Sequence, residues 1–148
     1  MRKGKRYLLL PMLLLMLAAA ACSPPGGERF KASLPGAAVT KIELTCAELC
    51  QRMDEPPFQS RVISNAAEIR TFVQVLSDAE KMPGELDYGA LFRMMLTFED
   101  DSEQTYVLNI DDEDGRRGLL VDSEHSSQGW EISEQDAETL RKLIYRHE

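Results

Sequence analysis

The sequence predicts an α+β domain in which an antiparallel sheet of about four to six strands packs against two helices. Three observations predict this class. Several short segments alternate apolar and polar side chains, two longer segments place apolar residues at helical spacing after a capping residue, and one pair of strand segments flanks a polar turn. An antiparallel sheet with helices over one face accounts for all three observations.

The first two predicted strands are short. Residues 39–46 (VTKIELTC) place Ile42, Leu44 and Cys46 on one side, as expected for a strand with one buried face. Residues 61–63 (RVI) are predicted as a second strand.

The first predicted helix begins at a capping box, with Asn65 as the N-cap and Glu68 three residues later. The pair Pro83-Gly84 marks its predicted end. The apolar residues in between form one helical stripe, which consists of Ile69, Phe72, Val73 and Leu76.

A hairpin is predicted from residues 91–98 and 104–110, which are joined by the polar turn 99–103. Facing side chains of two paired strands lie on one side of the sheet, so the apolar residues of both strands are expected to share a surface. These residues are Phe92, Met94, Leu96, Phe98, Tyr106, Leu108 and Ile110.

Two more strands and a helix complete the predicted domain. Residues 118–122 are predicted as a strand with Leu119 and Val121 facing inward, and residues 130–132 as the next strand. The second helix is predicted over residues 134–146, and the serine before it is predicted as its N-cap.

Three apolar residues fall on the opposite side of their strands from this predicted core: Met95, Val107 and Leu120. One interpretation is that the second helix or the early strands cover them. The other is that they form an exposed apolar strip that binds a partner. This strip is the candidate interaction surface of the domain.

The beginning of the chain has the pattern of a secretory signal peptide. Four basic residues precede an apolar run at residues 7–21, and Cys22 comes directly after Ala19-Ala20-Ala21. As a helix, the run would span about 22 Å, which is shorter than the roughly 30 Å core of a bilayer. The position of Cys22 resembles the lipobox of bacterial lipoproteins and predicts lipidation there. Ordinary cleavage near Ala21 and a short uncleaved anchor are the alternatives.

The sequence therefore divides into a signal peptide at residues 1–21, a lipidated cysteine with a flexible tether at 22–36, and one domain at 37–148. The tether (SPPGGERFKASLPG) is rich in Pro, Gly and small polar residues. A flexible chain of this length has a mean reach of about 20 Å, so the domain is expected to lie near the headgroups on the outer side of the cell membrane.

Charge and cysteine content narrow the function classes. Without the four basic residues of the signal peptide, 13 Lys and Arg stand against 25 Asp and Glu, a net charge of 13 minus 25, or −12. Such an acidic body argues against a nucleic-acid partner. With Cys22 lipidated, Cys46 and Cys50 remain as a candidate disulfide, as two buried thiols or, at an unusual spacing, as a redox pair.

No catalytic, metal or cofactor site is predicted. The acidic clusters 99–103 and 111–114 flank one strand, about 20 Å apart, and an EF-hand alignment through Gly115 places apolar residues at required ligand positions. His125 and His147 lack partners at zinc-ligand spacing. Trp130 alternates with the apolar side of its strand and is predicted to lie in the core.

The phrases VTKIEL, NAAEIRTFVQVLSDAEK, LFRMMLTFEDDSEQTYVLNI and GWEIS, followed by a closing helix, resemble small lipoproteins of Gram-positive bacteria, including those with a YhfM-like domain. The resemblance extends over most of the region after residue 38. It implies a membrane-tethered α+β domain and supplies no functional residues.

These observations predict a non-enzymatic lipoprotein on the outer face of the membrane that binds a protein, peptide or cell-wall component. One alternative is an acidic inhibitor or immunity-type domain that docks on a basic enzyme cleft through Glu99, Asp100 and Asp101. A second alternative is thiol exchange at Cys46 and Cys50.

Overall fold

A computed structural model describes residues 27–30 and 36–145. The predicted signal peptide, Cys22 and His147 lie outside the described residues. The elements in chain order are β1 (Val39–Cys46), α1 (Glu48–Gln51), β2 (Ser60–Ile63), α2 (Ala66–Asp78), β3 (Glu80–Lys81), β4 (Phe92–Phe98), β5 (Glu103–Asn109), β6 (Gly118–Asp122), β7 (Gly129–Ile132) and α3 (Glu134–Ile144).

The predicted α+β class is confirmed. All strands join one antiparallel sheet in the order β2-β1-β4-β5-β6-β7-β3. In the part of the chain that the structure describes, the sheet has seven strands, more than the four to six expected, and α1 adds a third helix. The sequence pattern missed β3 and α1 because segments of two and four residues are too short to show a period.

One face of the sheet forms the core with α2 and α3. Ile42 of β1 pairs with Leu96 of β4, and Met94 pairs with Tyr106 of β5, so the predicted hairpin surface is confirmed. The α2 helix contacts β1, β7 and α3. Buried apolar residues from all these elements make one continuous cluster.

Both predicted N-caps are confirmed. The Asn65 side chain accepts hydrogen bonds from the backbone of Ala67 and Glu68, at 2.9 and 3.2 Å. The Ser133 hydroxyl accepts one from the Asp136 backbone at 3.2 Å. Caps of this kind satisfy amide groups that the first helical turn leaves without partners.

The predicted orientation of β6 is wrong. Leu120 pairs with Leu108 and Trp130 on the core face and has no exposed surface, while Leu119 and Val121 lie on the opposite face. Three consecutive apolar residues fit either alternation, and the loop before β6 carries no information about which face its first residue takes. The pairing of β6 with β5 and β7 determines which face of the sheet each of these residues takes.

The opposite side of the sheet, here called the second face, is partly covered by residues 82–91. Leu86 packs so closely on Gly129 of β7 that a larger side chain at this glycine would collide with it. Asn109 holds the same segment, because its side chain accepts from the Leu91 backbone at 2.8 Å and donates to the Gly89 carbonyl at 2.7 Å. Val121 is buried although it lies on the second face.

The structure differs from the predicted tether at residues 27–30. Arg29 forms an antiparallel bridge with Glu80, and Phe30 is completely buried in the core. The Phe30 ring meets Tyr106 and Trp130 edge-on, with centroids 5.2 and 5.0 Å away. This part of the segment is attached to the domain.

Candidate functional site

The cysteine pair lies at the end of β1. Cys46 and Cys50 form a disulfide that joins the last residue of β1 to α1, and both residues are buried. The Gln51 side chain donates a hydrogen bond to the Cys46 carbonyl at 3.1 Å and helps to close this corner. Thiol exchange requires a thiolate to reach a disulfide sulfur, so burial of both residues favours a structural role.

The predicted strip does not form one surface. Met95 and Val107 lie on the second face and are half-buried, whereas Leu120 lies in the core below the sheet. Met95 is paired with Thr105, and Val107 with Arg93, so polar side chains flank both residues. The prediction of the strip is therefore wrong for Leu120, because the pairing of β6 with β5 and β7 turns this residue toward the core.

An apolar groove is present instead on the second face, beside the segment 82–91. It has a volume of about 330 Å³ and is open to solvent. Its apolar lining consists of Leu49, Met82, Leu91 and Leu119. Leu49 is 41% exposed, which is unusual for a large apolar side chain in a region that is otherwise well packed.

Charged and polar groups surround this groove. Arg117 and Glu131 form an ion pair of 2.6 Å, and both side chains are well exposed. Asn109 and Asp111 complete the polar part of the lining. An apolar floor inside a polar rim is the usual composition of a protein-binding surface.

A buried arginine fixes the loop next to the groove. Arg141 of α3 donates from Nε to the Asp111 carbonyl at 2.8 Å and from Nη2 to the Arg116 carbonyl at 3.3 Å, and its Nη1 pairs with Glu138 at 2.7 Å. Its hydrogen bonds hold both ends of residues 111–116 on α3. This role could not be predicted from the sequence, because an arginine at a helical position is normally exposed.

The acidic clusters lie on two different loops, at opposite ends of β5. In the 99–103 turn, Asp100 accepts hydrogen bonds from the Ser102 hydroxyl and backbone, and these lower the pKa of the Asp100 carboxyl. Asp101 next to it has a φ of 62°. Within residues 27–30 and 36–145, no group of three His, Cys, Asp or Glu residues is arranged to hold a metal ion.

Among the residues that the structure describes, the remaining aromatic and histidine side chains do not form a site together. Trp130 is buried in the core, as predicted. His125 lies in an exposed loop with its Nδ1 3.1 Å from Asp122. Burial, with the charges of Asp122 and Glu124, raises the pKa of Tyr106 to about 12.

Comparison with known proteins gives one informative match. The YhfM protein family matches residues 49–148, which is more than half of the chain. The chain belongs to the YhfM family. No curated protein and no solved structure matches it. The matched region includes α1 except its first residue, Glu48, and every residue that lines the groove, but it excludes β1 and residues 27–30.

The part of the chain that the structure describes contains no helix with both the length and the hydropathy needed to cross a membrane. The longest described helix, α2, has 13 residues.

Sequence reasoning missed the groove because its lining comes from five separate segments. Leu49 belongs to a short helix, Met82 and Leu91 to an irregular segment, and Leu119 to a strand whose orientation was predicted the wrong way round. One signal was available. A glycine opposite Leu49, Gly89, leaves no room for a side chain and marks a close approach of two segments.

Proposed function

We propose that this YhfM-family chain is a lipid-anchored, non-enzymatic binding module on the outer face of the cell membrane. In this proposal, Cys22 carries the lipid. The second-face groove receives apolar side chains of a protein or peptide partner.

The observation that carries the proposal is the open groove with its exposed Leu49. Burying the apolar surface of Leu49 and its neighbours against a partner would be favourable, at about 25 cal/mol per Å². The groove is at the lower limit of volumes typical of small-molecule sites, and it is open rather than enclosed. One or two side chains of a protein fit this shape better than an enclosed ligand does.

Charge around the groove favours a partner with both an apolar and a charged group. Arg117 and Glu131 satisfy each other in the free protein, and Asp111 adds a further negative charge. We therefore expect the partner to place a basic group near Asp111, since the rim as a whole is acidic. Such rim contacts mainly set specificity and association rate.

A matched pair of substitutions tests the groove. Leu49 and Val62 are both exposed, at 41% and 55%. Val62 also lies on the second face, because it pairs with Glu43, but it belongs to β2, the edge strand farthest from β6 and β7, which line the groove. The chain from residue 23 onward is used to recover partners from membranes of the producing cell, after crosslinking. We expect Leu49→Glu to abolish recovery of partners that wild type and Val62→Glu recover.

Two further variants, Met95→Glu and Val107→Glu, show whether the partner extends from the groove across the second face. Equal recovery by wild type, Leu49→Glu and Val62→Glu, with all chains folded, contradicts the groove proposal. Trp130 fluorescence reports folding, because this single tryptophan is buried.

The anchor needs its own test. We expect palmitate added to the growing cells to label the wild-type chain and not Cys22→Ser, and we expect the variant to leave the membrane fraction. An unlabelled wild-type chain contradicts lipidation at Cys22.

A second candidate function is docking of the acidic 99–103 turn on a basic enzyme cleft. It is favoured by the exposure of Glu99, Asp100 and Asp101 at one turn. Binding should then weaken steeply with salt. Partner recovery that is insensitive to salt and to Asp101→Asn contradicts this candidate.

A further inference from the structure

The four residues 27–30 act as an additional edge strand. The Lys81 backbone donates to the Glu28 carbonyl at 2.8 Å, and the Phe30 backbone donates to the Ala79 carbonyl at 3.1 Å. With the bridge between Arg29 and Glu80, these bonds extend the sheet beyond β3. We call residues 27–30 the docking strand.

Side chains fasten the docking strand on both sides. Phe30 is buried between Tyr106 and Trp130, while Arg29 pairs with Asp78 at 3.3 Å on the surface. Glu28 pairs with Lys81 at 2.7 Å. Exposed ion pairs stabilise little, so the buried ring is the main attachment.

Strand directions show where the chain enters the domain. The docking strand is antiparallel to β3, and β3 is antiparallel to β7, so the docking strand runs in the same direction as β7. Its first residue therefore lies at the end of the sheet where β7 begins. That end holds the turn 99–102 and the loop 123–128, and we call it the turn end.

The opposite end of the sheet holds the disulfide and the loop 110–117, and we call it the disulfide end. Most of the groove lies there, because Leu49, Leu91 and Asp111 all adjoin strand termini at this end. A chain attached at the turn end thus enters the domain away from this part of the groove. Met82 extends the groove lining toward the turn end, because its backbone donates to the Gly129 carbonyl at 2.8 Å.

We propose that the docking strand orients the domain on the membrane, with the turn end facing the lipid headgroups and the disulfide end, which holds most of the groove, facing away from them. This inference rests on the proposed anchor at Cys22. From Cys22 to Gly27 the chain has five residue steps (27 minus 22), which reach at most about 18 Å. Attachment only at Gly36 would allow 14 steps and about 50 Å.

The chemistry of the turn end fits a surface that faces the bilayer without inserting into it. Glu99, Asp100, Asp101 and Glu124 are exposed there. Anionic headgroups repel these carboxylates over about 10 Å at moderate salt, so the short tether and the repulsion act in opposite directions. The domain is held near the surface with its groove accessible to a partner.

Fluorescence energy transfer on vesicles tests this orientation without natural lipidation. The chain 22–148, with its disulfide intact, is coupled through the Cys22 thiol to a maleimide lipid in phosphatidylcholine and phosphatidylglycerol vesicles. A donor dye is placed on an incorporated azide residue at Ser126, in the turn-end loop, or at Asp112, near the disulfide end. Acceptor dyes are carried by lipid headgroups.

We expect donor emission to fall several-fold more at Ser126 than at Asp112, because β6 between the two loops spans about 17 Å. A flexible Gly-Ser insertion after Pro25 precedes the docking strand and should remove the difference. The same insertion after Ser33 follows the docking strand and should leave the difference intact.

Equal emission loss at Ser126 and Asp112 in the uninserted chain overturns the proposal, and so does an equal effect of the two insertions. Trp130 emission confirms that each chain is folded. Because the lipid is attached chemically, this result is separate from the palmitate test. A chain that orients on vesicles but takes up no palmitate in cells contradicts the anchor at Cys22 and leaves the docking strand established.

Discussion

At the scale of single residues, Phe30 joins the N-terminal segment to the core. Its ring fills the space between Tyr106 and Trp130, which lie on strands separated in the sheet by β6. The sequence did not reveal this role because one phenylalanine among Pro, Gly and polar residues has no periodicity. Burial of an aromatic ring does not require a regular element around it.

Replacing this ring should therefore destabilise the whole domain. We expect Phe30→Ala to lower the free energy of unfolding by about 3 kcal/mol and to shift Trp130 emission to longer wavelength, because the substitution leaves a cavity beside the indole. Urea unfolding followed by Trp130 fluorescence measures both effects. Phe30→Leu keeps most of the side-chain volume, so its free energy of unfolding should fall by less. An unchanged emission maximum in Phe30→Ala would contradict the packing seen here.

Tyr106 makes the stability depend on alkaline pH. Burial, with the charges of Asp122 and Glu124, raises the pKa of Tyr106 to about 12 in the folded chain. In the unfolded chain the pKa of this tyrosine is about 10. Between these values the folded chain holds the proton more tightly, so the free energy of unfolding falls as pH rises. The stabilisation is fully present below about pH 10 and is lost as pH approaches about 12.

We expect the wild-type chain to lose more stability than Tyr106→Phe between about pH 8 and about pH 11, as measured by urea unfolding. Burial also raises the pKa of Tyr145, but this residue is present in both chains, so the comparison isolates Tyr106. Parallel losses in the two chains would show that the Tyr106 hydroxyl titrates normally in the folded state.

At the scale of elements, sequence periodicity predicted the long segments and failed on the short or ambiguous ones. Asn65 and Ser133 identified the starts of α2 and α3, and alternation identified β1, β4 and β5. The orientation of β6 depended on pairing with β5 and β7, which residues 118–122 do not encode by themselves. That single error also moved Leu120 into the predicted strip and kept Leu119 out of the groove.

The short helix α1 depends on a covalent link rather than on propensity. The disulfide joins positions four residues apart, and a chain-entropy estimate for so short a loop is about 2 kcal/mol. We expect Cys46→Ala/Cys50→Ala to lower the free energy of unfolding by this amount and to loosen Leu49 at the groove. Urea unfolding and hydrogen exchange of the Leu49 amide measure these effects.

The same disulfide should resist reduction while the domain is folded, since both cysteines are buried. Dithiothreitol at neutral pH should reduce it only when urea is added. Rapid reduction of the native chain would contradict the structural role and would support the thiol-exchange alternative.

At the scale of the whole molecule, the domain boundary is earlier than predicted. The predicted domain starts at residue 37, directly after the Pro- and Gly-rich tether, and the family match starts later still, at residue 49. The buried Phe30 ring and the backbone hydrogen bonds of Glu28 and Phe30, one each, place the docking strand inside the folded unit. Composition indicated a flexible segment because it averages over residues, whereas one buried side chain and two backbone bonds are enough for attachment.

Charge is the other property of the whole molecule with a measurable consequence. Residues 22–148 have a net charge of −12, by the sum given above, and acidic loops lie at both ends of the sheet. Like charges repel one another more in the compact state than in the unfolded chain, and salt screens this repulsion. Stability should therefore increase with salt.

We expect the free energy of unfolding of the chain 22–148 to rise when sodium chloride is increased from about 0.01 M to about 0.15 M, because the screening length falls from about 30 Å to about 8 Å. The double variant Glu99→Gln/Glu103→Gln, which removes two exposed charges at the turn end, should be more stable at low salt and should respond less to added salt. Urea unfolding at both concentrations measures this. If salt destabilises both chains equally, the favourable ion pairs, such as Arg117 with Glu131, outweigh the net repulsion. Charge repulsion at the acidic turn end then does not lower the stability of the fold.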